Sequence, residues 1–153
     1  MSKTLILVRH AHALSRYEAA VPTDSARPLS EQGRQKALQN AQLLAARAPR
    51  PQRILTSPLL RAVQTAQILA DTLRAPVVRE NMLDGFRNDA DVRDFLLEQL
   101  ANTDCLLAVS HNPCITYVCA LLSGQVRPFA PASFAVLRAA PEQQPLQLID
   151  FGE

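Results

Sequence analysis

The sequence has no long apolar run, few cysteines and almost no net charge. Its first apolar stretch, residues 5–8, is too short for a signal peptide or a membrane span, so we expect a cytoplasmic protein. A formal net charge of +2 over 153 residues gives no reason to expect nucleic acid or an anionic membrane as a partner. The three cysteines, Cys105, Cys114 and Cys119, contain no Cys-x-x-Cys pair, and we expect no disulfide framework.

Lysine is also scarce: the chain has only Lys3 and Lys36, compared with fourteen arginines. Guanidinium groups suit bidentate phosphate binding, although this excess alone is a weak indication of function. The chain shows no internal repeat, low-complexity tract or linker, and its length suits one compact domain with a proper core. We therefore predict a single domain over residues 1–153.

Short apolar runs alternate with segments that have the apolar spacing of one helical face. The predicted strands are Thr4–Val8, Arg53–Thr56, Val77–Val78, Cys105–Val109, Ser133–Leu137 and Leu146–Phe151. The predicted helices run from Ser30-Glu31 to Ala48, from Ser57 to Leu73, from Asp89 to Leu100 and from Asn112-Pro113 to Leu122. This alternation predicts an α/β fold, with a mostly parallel sheet covered on both faces by helices.

Two details of the helices and loops matter for the site. Ser57 is a good N-cap and Pro58 fits the first helical position, so we expect the second helix to begin there. The polar stretch Ala11–Leu29 is predicted to be a loop.

Polar side chains stand at three equivalent places in this pattern. Arg9 and His10 follow the first strand, Arg61 lies in the first helical turn after the second strand, and His111 follows the fourth. Each has an ordinary structural explanation when taken singly. Ligands of open parallel sheets bind outside the carboxyl ends of the strands, so jointly these residues predict a pocket for a dianion beside a helix N-terminus.

Four segments, in order, resemble the motifs of the histidine phosphatase superfamily, the phosphoglycerate-mutase-like proteins. They are Leu7–Ala11, Arg27–Gly33, Leu55–Ala66 and Val109–Pro113. The resemblance covers residues 4–123. The short length and the Arg27-Pro28-Leu29 segment are most similar to the SixA-type phosphohistidine phosphatases. The resemblance implies a three-layer α/β/α sandwich with the histidine-phosphatase fold and no large lid insertion.

The resemblance also assigns roles to residues. It implies that His10 attacks phosphorus and becomes phosphorylated, which requires a neutral ring whose tautomer a hydrogen bond fixes. Arg9, Arg61 and His111 would neutralise the transferring group, and Asn112 would add a contact. Water would then hydrolyse the phosphohistidine, with no metal and no cofactor.

Two features depart from the family pattern. Ala11 replaces the usual glycine after the nucleophile, and we expect this to be tolerated. Many members place a glutamate after the third strand as general acid. Here Asp84 is the nearest match and Glu80 the second; the alternatives are a solvated loop acid and no general acid at all.

His10-Ala11-His12 also spells the His-x-His of metal-dependent amidohydrolases. Their barrel needs about 250 residues, so this chain is too short. We expect His12 to lie at the rim of the pocket or to be simply exposed.

The prediction of the substrate depends on the short segment between the third and fourth predicted strands. Only about twenty-five residues separate the third and fourth strands, too few for a large lid. An open crevice would admit a phosphorylated side chain of another protein, so we predict protein phosphohistidine, for example on a histidine phosphotransfer domain, and a monomeric enzyme. The alternatives are a broad-specificity phosphomonoesterase acting on small phosphoesters and a non-catalytic phosphoprotein-binding module.

Overall fold

The computed structural model describes residues 2–139 and 145–153. Within these residues six strands form one sheet in the order β3-β2-β4-β1-β5-β6. The strands are β1 (Lys3–Arg9), β2 (Arg53–Thr56), β3 (Val77–Arg79), β4 (Cys105–Ser110), β5 (Phe134–Ala139) and β6 (Gln147–Gly152). The helices are α1 (Arg16–Ala19), α2 (Glu31–Arg47), α3 (Leu60–Leu73), α4 (Asp89–Leu100) and α5 (Cys114–Ser123), with 3₁₀ turns at Asp24–Ala26 and Asn81–Leu83.

The pairing of the strands explains where the site forms. Strands β3, β2, β4 and β1 pair in parallel, whereas β5 is antiparallel to β1 and β6. Arg9 at the end of β1 lies opposite Ser110 at the end of β4. This register brings His10 and His111 out of the sheet side by side, and the backbone N–H of His10 donates to the Ser110 carbonyl at 3.0 Å.

Helices cover both faces of the sheet, which confirms the three-layer α/β/α prediction. The central strands are buried on both faces, so successive residues of β1 contribute to opposite cores. Leu5 and Leu7 pack in the core formed with α4 and α5, and Ile6 and Val8 pack in the core formed with α2 and α3.

Two local predictions were wrong. Ser57 is not the N-cap of α3, which begins at Leu60 with Leu59 as its cap and no side-chain cap bond. The Ala11–Leu29 stretch is not all loop, because Ser15 and Glu18 form a capping box around the single turn of α1. That Ser-x-x-Glu spacing is visible in the sequence, but no apolar run follows it.

The segments that border the site are short. About half of the chain between β3 and β4 belongs to α4, and three residues separate β4 from α5. No large insertion is present there, as predicted. In the described part of the chain no helix combines the length and the apolar character that crossing a membrane requires.

Candidate active site

One cavity of about 220 Å³ at the carboxyl edge of the sheet contains all six predicted site residues. Its lining residues are Arg9, His10, Arg27, Arg61, Asp84, Gly85, Phe86, His111 and Asn112. A larger groove of about 370 Å³ lies along α2 and includes His12 but none of these residues. The basic and imidazole groups gather in the smaller cavity, which is therefore the candidate site.

His10 has a defined tautomer. Its Nδ1 lies 2.7 Å from the carbonyl oxygen of Ala11. Because a carbonyl only accepts, Nδ1 carries the proton and donates it, which leaves an unprotonated lone pair on Nε2. Burial, and to a smaller extent the neighbouring His111, Arg61 and Arg9, lower the pKa of His10 to about 3, although the hydrogen bond to Ala11 acts in the opposite direction. The ring is therefore neutral at pH 7, as attack on phosphorus requires.

His111 lies beside His10, with 5.0 Å between the ring centroids. It is 5% exposed, and its Nε2 is 2.7 Å from the Ser57 hydroxyl oxygen. The same oxygen accepts the backbone N–H of Leu59. The pKa of His111 is lowered to about 4. Burial is the main cause, and the charge of Arg61 is the second. A neutral His111 can thus offer one ring N–H as a donor without adding charge to the cavity.

Arg9 is held from behind. One terminal nitrogen donates to the Phe129 carbonyl at 2.8 Å, and burial lowers the pKa of the guanidinium. Its Nε is buried and has no hydrogen-bond partner among the described residues. A buried donor without a partner is costly, and an anion in the cavity is the kind of group that relieves such a cost.

Arg61 is 8% exposed, and both of its terminal nitrogens contact Asp24. One donates to the Asp24 backbone carbonyl and the other to its carboxylate, each at 3.0 Å. Arg27 donates to the second carboxylate oxygen of Asp24, also at 3.0 Å. Arg27 is thus a third guanidinium of the cavity, although the sequence indicated it only as part of the Arg27–Gly33 motif.

The candidate general acid also lines the cavity. One Asp84 oxygen accepts the Phe86 backbone N–H at 2.9 Å, and the other lies 3.4 Å from Arg87 Nε. Asp84 therefore shapes the loop that carries the exposed Phe86. Glu80 is not among the lining residues.

Asn112 lines the cavity, but its side chain is engaged elsewhere. Its Nδ2 donates to the Phe129 carbonyl at 2.9 Å, and its Oδ1 accepts the Thr116 hydroxyl at 2.8 Å. Asn112 therefore fixes the strand-to-helix turn behind the cavity. Of the backbone or side-chain contact to phosphate that the family resemblance implies, the side-chain form would require one of these bonds to give way.

Ala11 points away from the cavity. Its methyl group is fully buried in a small cluster with Leu29, Ala37 and Ala132. Its backbone N–H donates to the Thr65 hydroxyl at 3.0 Å. The extra methyl group therefore fills a core position and does not line the cavity.

His10 and His12 do not form a joint metal site. Nδ1 of His12 lies 2.7 Å from the Ser30 hydroxyl, and the ring faces the groove along α2. Over residues 2–139 and 145–153, no three His, Cys, Asp or Glu side chains are grouped so that they could hold a metal ion.

Sequence reasoning missed Ser57, Asp24 and Arg27 as residues around the site. Ser57 had a conventional interpretation as an N-cap, and nothing local links it to His111, 54 residues away. Asp24 lies in a stretch predicted as loop. Its spacing of three residues from Arg27 was the available signal for an ion pair.

We predict that His10 stays neutral in moderately acidic solution. Its pKa is lowered, so protonation of Nε2 is displaced to lower pH than in an ordinary histidine. Long-range ¹H–¹⁵N spectra should show Nδ1 protonated and Nε2 unprotonated at pH 7 and still at about pH 5. The same protein unfolded in urea is the control and should titrate normally. A folded-state His10 that titrates near 6.5, or that carries its proton on Nε2, would contradict the assignment.

The model of the histidine phosphatase superfamily (branch 1) matches residues 5–89. A structure of the protein histidine phosphatase SixA with tungstate is 26% identical, with a TM-score of 0.79, and covers 88% of this chain and 86% of that one. A proposed phosphohistidine phosphatase SixA from Agrobacterium tumefaciens is 26% identical, with a TM-score of 0.83. The match covers 99% of this chain and 98% of that one.

More distant structures share the fold. A mycobacterial glucosyl-3-phosphoglycerate phosphatase is 18% identical, with a TM-score of 0.70. The match covers 90% of this chain and 91% of that one. A search of curated proteins finds no match. The family model spans more than half of the chain, and the fold agrees with it. The protein belongs to the histidine phosphatase superfamily.

Proposed function

We propose that the protein is a metal-independent phosphatase that works through a phosphohistidine on His10. The observation that carries this proposal is the unprotonated Nε2 of His10 in a cavity lined by three arginines. Nε2 attacks phosphorus and the bond from phosphorus to the leaving atom breaks. Water then attacks the phosphoenzyme, which returns His10 and releases inorganic phosphate.

Electrostatic stabilisation supplies most of the catalysis in this proposal. Arg9 and Arg61 retain N–H groups beyond those bonded to Phe129 and Asp24, and these can bind the equatorial oxygens. His111, held by Ser57, adds a neutral donor. Because the groups are already fixed and partly buried, little reorganisation accompanies the reaction.

Asp84 is our candidate for the group that protonates the leaving atom, because it is the carboxyl group among the lining residues. Both of its oxygens accept hydrogen bonds in the structure, so it would first have to take up a proton. A phosphoramidate leaving group depends less on such help than an alkyl ester.

We propose protein phosphohistidine as the substrate. Among the described residues no insertion covers the cavity, so a phosphorylated side chain on a protein surface could reach His10. Phe86, 79% exposed at the rim, offers an apolar contact to such a surface. The structural similarity to the protein histidine phosphatase SixA supports the same choice. Small phosphoesters are the second candidate, because an open cavity also admits them.

Trapping the phosphoenzyme tests the mechanism. Brief incubation with a ³²P-labelled phosphohistidine protein, followed by denaturation, should leave label that is acid-labile and alkali-stable. His10→Ala should abolish this label and lower kcat by several orders of magnitude, as removal of a covalent nucleophile does.

His12→Ala is the matched control, because His12 lies two residues away but lines the other groove. It should retain both the label and turnover. A wild-type protein that binds the substrate and never carries phosphate would instead support a binding module.

Substrate preference is measured separately. We expect kcat/KM for a phosphohistidine-bearing phosphotransfer domain to exceed that for p-nitrophenyl phosphate by at least about tenfold, because the open rim contacts the protein around the phosphoryl group. A clear preference for p-nitrophenyl phosphate would favour the small-molecule alternative while leaving the His10 mechanism intact.

A further inference from the structure

Asp24 joins two of the three arginines of the cavity. Its carboxylate oxygens lie 3.0 Å from Arg61 and 3.0 Å from Arg27. Its backbone carbonyl also accepts from Arg61, so both terminal nitrogens of that guanidinium are bonded to one residue. Asp24 itself is absent from the lining of the cavity. It therefore binds the two arginines without itself lining the cavity.

The burial of the partners is unequal. The side chain of Arg61 is 9% exposed, whereas that of Asp24 is 53% exposed. Burying a guanidinium removes its hydration, which is unfavourable unless a carboxylate and hydrogen bonds compensate for the loss. The hydrogen bond from Arg27 lowers the pKa of Asp24, and the charge of Arg61 lowers it too, so the carboxylate is ionised at neutral pH.

This carboxylate changes the charge that a bound phosphate meets. Arg9, Arg27 and Arg61 bring three positive charges, and His10 and His111 are neutral because of their low pKa values. Asp84 is paired with Arg87, whereas Asp24 contacts two of the three lining arginines directly. A dianionic phosphate therefore meets one positive charge fewer than it would without Asp24.

We propose that Asp24 is a positioning residue that orients Arg61 and keeps the affinity for phosphate low enough for the product to leave. The inference rests on the proposed function, since it assumes that phosphate binds beside Arg61. Asp24 does this through a fixed hydrogen-bond geometry and through its charge. The two contributions can be separated for Arg61, because asparagine removes the charge but keeps one side-chain acceptor, which together with the backbone carbonyl can still hold that guanidinium, while Arg27 loses its acceptor.

Calorimetric titration with inorganic phosphate tests the charge. Asp24→Asn should lower the Kd of phosphate about fivefold, because a repelling charge near the site is removed. Arg27→Gln should raise it by a similar factor, and the double variant should return to within about twofold of wild type, since the changes in charge cancel. In 1 M salt the difference between Asp24→Asn and wild type should shrink, because Asp24 is half exposed and screened.

Turnover of p-nitrophenyl phosphate tests the orientation. Asp24→Ala should lower kcat about tenfold, because Arg61 loses its acceptor, and Asp24→Asn should stay within about threefold of wild type. A melting temperature for each variant shows that the fold is intact.

The results separate the possible failures. If Asp24→Asn binds phosphate no more tightly than wild type, or if the double variant does not return toward wild type, the inference is wrong and the proposed function stands. If Asp24 only anchors its loop, Asp24→Asn and Asp24→Ala will weaken phosphate binding together. If wild type forms no phosphoenzyme and does not turn over p-nitrophenyl phosphate, the proposed function fails and the inference fails with it.

Discussion

The hydrogen bond from His10 Nδ1 to the Ala11 carbonyl is the interaction on which the site depends. It fixes the ring so that Nε2 keeps a lone pair, and it does so with the backbone immediately after β1, which few substitutions could remove. The parallel register of β1 and β4 then places the His111 ring beside the His10 ring. A nucleophile and its stabilising groups are thus assembled from residues that follow the strands of the sheet.

Burial gives the site its electrostatic character. It keeps both histidines neutral, so that the positive charge of the cavity belongs to arginines, which stay protonated at every physiological pH. Neutral histidines also tie the stability of the fold to pH. In the unfolded chain His10 and His111 bind protons below about pH 6.5, whereas in the folded chain these two residues do not until about pH 3 to 4, so acid shifts the equilibrium toward the unfolded state.

The sequence was sufficient for the parts of this arrangement that follow from local patterns. The buried strands, the helices that follow them and the placement of Arg9, His10, Arg61 and His111 at strand ends depend on periodicity and on a general rule for parallel sheets. It was insufficient where a side chain has a conventional local role and a distant partner. Ser57 resembles an N-cap but bonds to His111, and Asp24 lies in a loop but holds Arg61, because the fold alone determines which residues meet.

The structure of the protein with orthovanadate tests the central claim most directly. Vanadium should lie within bonding distance of His10 Nε2, with its equatorial oxygens bound by Arg9, Arg61 and His111 and with Nδ1 still on the Ala11 carbonyl. Vanadate bound in the groove beside His12, or a His10 ring turned so that Nδ1 faces the metal oxyanion, would contradict the account.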